Sequence, residues 1–359
     1  MRVSKPPPPS HGATVNQTSS RFNLPSREED GDWLDDQQAI DGAPPRLKTT
    51  VTVEHPRTII ARNQSPDLVF DRSINPYRGC EHGCIYCFAR PSHAYHDLSP
   101  GIDFETRLFA KPNAAELLRA ELSKRGYECR PIAFGTNTDT FQPIEAKWGI
   151  TRTCMQVLAK CRHPMMIVTK SDRILSVLDI IAPMAADNLV RVVISITSMT
   201  PEIARTLEPR APCPEKRIAA IRALAEAGVP TTLAIAPVVP AITDHEIEHI
   251  LERAAEAGAT SAFFAPVRLP HEVAPLFKAW LNAYFPDRAD KVMNIIRSIR
   301  GGRENDPEFF GRMRMQGVWG DLLRTRFNIA RRKLGLSAPD TSLRTDLFRP
   351  PEGAQMRLL

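Results

Sequence analysis

From residue 72 onward the chain repeats one pattern. Short apolar, β-prone runs alternate with longer helix-like stretches. The runs predict strands at Ser73–Tyr77, Ile132–Gly135, Met165–Thr169, Leu189–Thr197, Thr231–Ala236 and Ser261–Val267. The stretches between them predict helices near 112–126, 146–162, 172–186, 214–228 and 243–257. Thr243–Asp244 supplies a helix-start signal, and Gly228 and Gly258 stand just past helix ends, where left-handed backbone closes a helix. Six strands alternating with helices make an α/β chain of (β/α)6 type, a parallel sheet with crossover helices. Alternation alone does not choose between a doubly wound sheet and an open or closed barrel.

The flanks break the rhythm. Residues 1–50 hold Pro6 to Pro9, the acidic run Glu28 to Asp36 and Pro44–Pro45, with few apolar residues to offset ordering entropy, so they are expected to be disordered. Residues 51–70 carry short β-prone runs that lead into the core. Residues 271–300 are expected to be helical, and after Gly301–Gly302 a basic amphipathic stretch covers about 307–335. The expected organisation is therefore a disordered segment 1–50, a core with its lead-in over 51–270, a helical extension over 271–335 and a loose, Pro-containing tail over 336–359.

Composition narrows the class. The chain has 359 residues, 42% hydrophobic and 25% charged, enough for a large core and ordinary for a globular protein. No run of 18 apolar residues is present, so no membrane span is expected, and the polar, Pro-rich N-terminus lacks the apolar stretch of a secretory signal. A cytoplasmic location is the expectation. The net charge of +6 is local. Residues 1–50 carry six Lys/Arg against seven Asp/Glu, residues 51–296 carry 28 against 27, and residues 297–359 carry 13 against seven. That basic extension fits a nucleic-acid or other polyanionic partner, and a solvated Arg-rich helical face accounts for the same charge. Seven cysteines, an odd count in a reducing compartment, suggest metal ligands or buried thiols rather than disulfides.

Three of the seven fall within eight residues. Asn75-Pro-Tyr-Arg-Gly-Cys80-Glu-His-Gly-Cys84-Ile-Tyr-Cys87 spaces them C-x3-C-x2-C, directly after a predicted strand and with Gly79 and Gly83 in the loop. Glycine lets backbone wrap closely around a bulky inorganic group. Three thiolates from one loop can hold a [4Fe–4S] cluster and leave one iron open to a further ligand. The same residues leave two other readings: a zinc site completed by His82, His93 or His96, or three unligated thiols. Cys129, Cys154, Cys161 and Cys213 read as structural thiols.

The loop resembles the signature of the radical S-adenosylmethionine (SAM) enzymes, in which such a motif follows the first strand of a partial (β/α)6 barrel. NPYRGCEHGCIYCFAR (75–90), GTNTDTFQPIE (135–145), LEPRAP (207–212) with Arg217, and AIAPVVP (234–240) are similar to the branch related to spore photoproduct lyase, often described as DNA repair photolyase-like. The resemblance covers about residues 72–267. It implies a TIM-like partial barrel with two cofactors, a [4Fe–4S] cluster on Cys80, Cys84 and Cys87 and SAM, which reductive cleavage converts to a 5′-deoxyadenosyl radical for hydrogen abstraction. It also implies an external electron donor such as flavodoxin or ferredoxin.

Carried over motif by motif, the resemblance implies further cofactor-binding residues. Tyr86 would pack near the adenine. Gly135, Thr136 and Asn137 would meet the methionine group, with Asp139 either nearby or closing an Asx-turn. Ser195 and Thr197, with Ser198 beside them, would meet the ribose. Arg210 would pair the SAM carboxylate with Glu208 orienting it, or the two would form an ion pair at the barrel rim, and Ala236 would approach adenine. One departure is notable. Spore photoproduct lyase carries its hydrogen-donating cysteine at the second-strand motif, where this chain has Phe134-Gly135-Thr136. Three function classes remain in play: a radical SAM enzyme acting on nucleic acid or a nucleotide-derived substrate, one acting on a peptide or small metabolite, and an iron–sulfur electron carrier without SAM cleavage.

Overall fold

The computed structural model describes residues 10–16, 19, 21, 48–337 and 342–351. Among these residues, ten strands form two sheets: β1 (Thr50–Val53), β2 (Ile60–Arg62), β3 (Arg72–Ile74), β4 (Tyr77–Arg78), β5 (Arg107–Ala110), β6 (Ile132–Phe134), β7 (Met165–Thr169), β8 (Val190–Ser195), β9 (Thr231–Val238) and β10 (Ser261–Pro266). The main sheet has the order β10-β9-β8-β7-β6-β3-β2. Its six strands from β3 to β10 are all parallel, each beside its neighbour in sequence, and β2 closes the far edge antiparallel to β3. That is the expected (β/α)6 core. β8, VRVVIS, is buried at five of its six positions, as a parallel strand covered on both faces must be.

The helices are α1 (Asp103–Thr106), α2 (Ala114–Leu122), α3 (Glu145–Trp148), α4 (Ile150–Lys160), α5 (Leu178–Ala186), α6 (Pro201–Leu207), α7 (Pro214–Glu226), α8 (Ile247–Glu256), α9 (Val273–Tyr284), α10 (Ala289–Ser298) and α11 (Gly317–Lys333). Among the described residues no helix is long and apolar enough to cross a membrane.

Several boundaries differ from the sequence reading. The first expected strand, 73–77, divides at Asn75-Pro76, because proline offers no N–H to a ladder. β3 stays in the main sheet, while β4 joins a small sheet of order β1-β5-β4. The stretch 172–186 starts as a 3-10 turn, capped by Ser171 Oγ accepting from Arg173 N at 3.2 Å, before α5 begins. α6 is an additional helix that the pattern does not predict; Pro201 opens it.

The tail also takes a place. Within the segment 336–359, residues 342–351 run under the barrel, with Arg349 N donating to Cys161 O at 2.8 Å and Arg344 N to Asn188 O at 3.0 Å. Phe348 packs 5.3 Å from the buried His163 ring and 5.5 Å from Tyr127. Within 1–50, residues 10–16, 19 and 21 seat on the core, as described below. The other expectations for these two segments fall outside the described residues.

His163 yields a pH prediction. Its Nδ1 faces Pro164 O and its Nε2 faces Tyr127 Oη, each at 2.9 Å, which suits a neutral ring. Burial pushes its pKa down from 6.5 to about 4. Below pH 6.5 the unfolded chain binds a proton that the folded chain refuses, so stability falls as pH drops from 6.5 toward 4. Thermal melts across that range should show the decline, and His163→Gln should flatten it. An unchanged slope in the variant removes His163 as a cause.

Candidate functional site

After β4 the chain turns into the cysteine loop, and the loop is held from every side. Cys80 N donates to Phe104 O at 2.9 Å and Ile85 N to Leu207 O at 3.1 Å. Gln142 reaches in from the loop after β6, accepting from Glu81 N at 2.9 Å and donating to Gly79 O at 3.2 Å. Arg90, fully buried, donates to the carbonyls of Cys84 at 2.9 Å and Gly83 at 3.1 Å, and it ion-pairs with Glu105 at 2.5 Å. Glu105 in turn accepts from Gly12 N at 3.0 Å and Ala13 N at 2.9 Å, which seats the N-terminal residues on the outside of the loop. Gly83 has φ +68°, and a Cβ there would stand 2.7 Å from the Glu105 carboxylate. Only glycine fits both conditions.

The thiols open onto a cavity of about 270 Å³ at the C-terminal ends of the parallel strands. This is where a barrel assembles its site. Cys80, Cys84, Cys87 and Tyr86 form one wall, and Gly135–Asn137, Ser195 and Ala236 come from three strand ends. The structure therefore brings Tyr86 and these five strand-end positions, all expected to bind cofactor, around the three thiols. Gly135 has φ +81°, and a Cβ there would lie 2.0 Å from Val168 O of the next strand, so close strand packing excludes any side chain. Asn75 Oδ1 accepts from Asn137 N at 2.9 Å and fixes the turn beyond it. A larger crevice of about 390 Å³ lies between α4 and α5 on the helical exterior, away from the strand ends and the thiols.

The other expected residues are committed to partners within the protein. Glu208 and Thr197 lie behind Tyr86: Glu208 accepts from the Tyr86 hydroxyl and from Thr197 Oγ1 at 2.8 Å, and it ion-pairs with the buried Arg217. Against burial, Arg217 and Lys170 hold the Glu208 carboxyl well below its ordinary range. Arg210 turns away from the cavity and donates to Glu105 O at 2.9 Å. Ser198 bonds Glu246 at 2.6 Å. Asp139 accepts from Phe141 N at 2.9 Å in the Asx-turn, and also from Thr169 Oγ1 at 2.7 Å and Lys170 N at 2.8 Å, tying the loop to β7.

Lys170 is a site residue that the motifs do not mark. It follows Thr169 directly, so the rule that places Ser195 and Ala236 at strand ends also reaches it. Its Nζ stands 5.7 Å from the Tyr86 ring centre. Burial pulls its pKa down, but Cys84, Glu208 and Asp139 outweigh that and hold it above the ordinary lysine value. A cation thus faces the thiols inside the cavity. Arg217, from α7, donates to Ser195 O at 3.0 Å and anchors the β8 end.

The donor set fits a cluster better than a single ion. Of the three histidines of the zinc reading, His93 Nε2 faces Arg107 O at 2.9 Å and His96 lies against Phe109 at 4.8 Å, while His82 lines the cavity with its Nδ1 3.4 Å from Asp139. Among the described residues no three His, Cys, Asp or Glu side chains converge on one ion. A [4Fe–4S] cluster distributes its ligands over separate irons, so three thiols around a cavity suffice. Burial pushes the Cys84 thiol up to about 12 and Cys80 well above its usual value. Bound iron supplies the positive charge that thiolates there need.

Comparisons with known proteins agree with this geometry. The chain is 35% identical over 242 residues to the uncharacterized protein Rv2578c of Mycobacterium tuberculosis, covering 66% of this chain and 71% of that one. It is 26% identical over 221 residues to the uncharacterized protein MJ0683 of Methanocaldococcus jannaschii, covering 62% and 79%. Among solved structures, spore photoproduct lyase complexed with dinucleoside spore photoproduct shares the fold, with a TM-score of 0.56, 15% identity and 79% of each chain covered. A lyase variant holding both AdoMet and that dinucleoside aligns with a TM-score of 0.55 at 15% identity over 79% of this chain and 78% of that one. The family model described as the radical SAM superfamily matches residues 74–254, half of the chain, from β3 through most of α8. With its cysteine loop at the C-terminal mouth of a six-stranded parallel sheet, this chain belongs to the radical SAM superfamily, whose members use a [4Fe–4S] cluster and SAM.

Proposed function

We propose that the protein binds a [4Fe–4S] cluster through Cys80, Cys84 and Cys87, cleaves SAM reductively and uses the resulting radical on a nucleic-acid or nucleotide-derived substrate. The observation that carries the reading is the meeting of three loop thiols and the Lys170 cation in one cavity at the strand ends. When bound, the cluster and SAM supply a 5′-deoxyadenosyl radical that abstracts hydrogen from substrate. The residues of the chain bind, orient and shield. Gly135 lets backbone approach the methionine group, Ser195 and Ala236 offer polar and backbone contacts, and Tyr86 is held rigid by Glu208 and Thr197. Lys170 is the cation suited to a SAM carboxylate. The fold shared with the lyase bound to a dinucleoside and the basic residues of 297–359 support the substrate class. An external one-electron donor such as flavodoxin or ferredoxin completes the reaction, and seven free cysteines fit a reducing cytoplasm.

The direct test is anaerobic reconstitution, reduction with dithionite and assay for 5′-deoxyadenosine. Its absence from protein carrying full cluster overturns the enzyme reading and leaves an electron carrier. Lys170→Ala should weaken SAM binding by about tenfold to a hundredfold, the worth of a charge-assisted hydrogen bond, while iron content stays at the wild-type level. Unchanged SAM affinity, read by equilibrium dialysis, removes Lys170 from the site.

A further inference from the structure

The cavity continues outward into a groove of about 330 Å³ between β10 and α11, and the two share Phe263, Pro266 and Met313. The groove is built by residues beyond the 74–254 match. Its wall at 309–315 is fixed in place. Arg312 grips Asp67 at 2.7 and 2.5 Å, Phe310 N donates to the same carboxylate at 3.1 Å, and Arg300 donates to Arg312 O at 3.0 Å and Val267 O at 3.1 Å.

The arginines in and around the groove fall into two groups. Arg312, Arg324 and Arg326 each pair with a carboxylate: Asp67, Asp321 and Glu248. Arg268, Arg314 and Arg331 have no ion-pair partner among the described residues. Arg268 lines the cavity, and Arg314 and Arg331 line the groove. The Nε atoms of Arg268 and Arg331 are buried without a hydrogen-bond partner. Burial, then the neighbouring Arg312, pulls the Arg268 guanidinium below its ordinary pKa, so an incoming anion would relieve it. Exposed apolar side chains line the same surfaces: Phe88, 57% exposed, lines the cavity, and Phe263 at 44% and Met313 at 40% line both cavity and groove. Arg331 itself lies over the Phe327 ring at 5.8 Å.

Unpaired arginines lining a continuous cavity and groove, with exposed aromatic faces on the same surfaces, match the chemistry of a phosphodiester strand with unstacked bases. A single carboxylate or phosphate would occupy one arginine and leave two. We propose that this groove is a track for a single strand of nucleic acid: Arg268 holds the phosphate beside the nucleotide that enters the cavity, Arg314 and Arg331 hold the phosphates that follow, and Phe263 stacks on a base. The proposal rests on reading the cavity as the radical site and adds the course of the strand and the residues that hold it.

The test is fluorescence anisotropy of a labelled single-stranded oligonucleotide with the anaerobically reconstituted full chain across a range of salt concentrations. Binding should weaken as salt rises. Arg314→Ala with Arg331→Ala should weaken it at least tenfold and reduce the log–log salt slope by about 1.4, about 0.7 for each phosphate that no longer meets an arginine. Arg130→Ala, which removes a cation outside the groove, should leave binding as in wild type. Wild-type affinity in the double variant overturns the track. So does a mononucleotide that competes as well as the oligonucleotide, which would mean a one-phosphate site, or polyglutamate of equal length that binds as tightly, which would mean bare charge. The measurement needs no SAM cleavage. A wild-type protein that forms 5′-deoxyadenosine yet binds no strand loses the groove assignment alone, and one that binds the strand but makes no 5′-deoxyadenosine loses the radical reading alone.

Discussion

Cys84→Ala abolishes the broad iron–sulfur absorbance near roughly 400 nm and with it all 5′-deoxyadenosine formation, and Cys80→Ala and Cys87→Ala do the same. The expected effect is complete because two thiols of the loop do not suffice for a [4Fe–4S] cluster. The loop holds no further cysteine to take the vacant place, and its His82 faces Asp139 at 3.4 Å. Arg90, Gln142 and the carbonyls of Phe104 and Leu207 hold the loop backbone in place around the empty position. The fold itself should survive, since the loop's hydrogen bonds run through backbone and not through sulfur. Iron analysis, the visible spectrum and circular dichroism together separate loss of the cluster from unfolding. Full iron and absorbance in any one of the three variants removes that cysteine from the ligand set.

Glu208→Ala carries the largest expected loss of stability. Glu208 and Arg217 have side chains only 1% and 2% exposed, and they form a buried ion pair joined by the Tyr86 hydroxyl and Thr197. Removing the carboxylate strands the Arg217 cation in the interior, a change worth about 3–5 kcal/mol. For a chain of this size that lowers Tm by on the order of 10 °C. Tyr86 loses its acceptor at the same time, so the cavity wall loosens and SAM affinity falls too. The double variant Glu208→Ala/Arg217→Met should recover much of the lost Tm, because it removes the stranded charge, yet it should leave SAM affinity low. A double variant as unstable as the single one would show that the deficit is packing and not charge.

The residues behind these two predictions differ in how legible they are from the chain alone. The cysteine triad and the glycines that bend its loop are visible as local spacing, and Gly135, Ser195 and Ala236 are positions near predicted strand ends that the family resemblance marks. The structure collects these positions around one cavity. Glu208 and Arg210 look like a pair because they lie two residues apart, but a two-residue step after α6 sends them to different places. Glu208 goes inward to Arg217, while Arg210 goes to the Glu105 backbone carbonyl. Lys170 is within reach of the strand-end rule. Its charge environment is not, since Cys84, Glu208 and Asp139 come from three other parts of the chain.

The sequence by itself determined the parallel β/α rhythm and the three-cysteine loop, because each rests on local spacing, a strand period, a helix length and C-x3-C-x2-C, and its motifs carried the resemblance to the radical SAM enzymes. Only the tertiary structure decided that Gly12 and Ala13 cap the cluster loop through Glu105, that residues 342–351 cover the barrel base at His163, and that Arg268, Arg314 and Arg331 stand unpaired along one groove. The first two join residues roughly 90 to 190 positions apart. The third depends on which carboxylates the fold carries to which arginines. The +6 of the last segment is visible in the sequence as a sum. Which of its charges are neutralised by Asp67, Asp321 and Glu248, and which remain free to meet a ligand, is set by packing, because ion pairing falls off within a few ångströms and no sequence spacing encodes that distance.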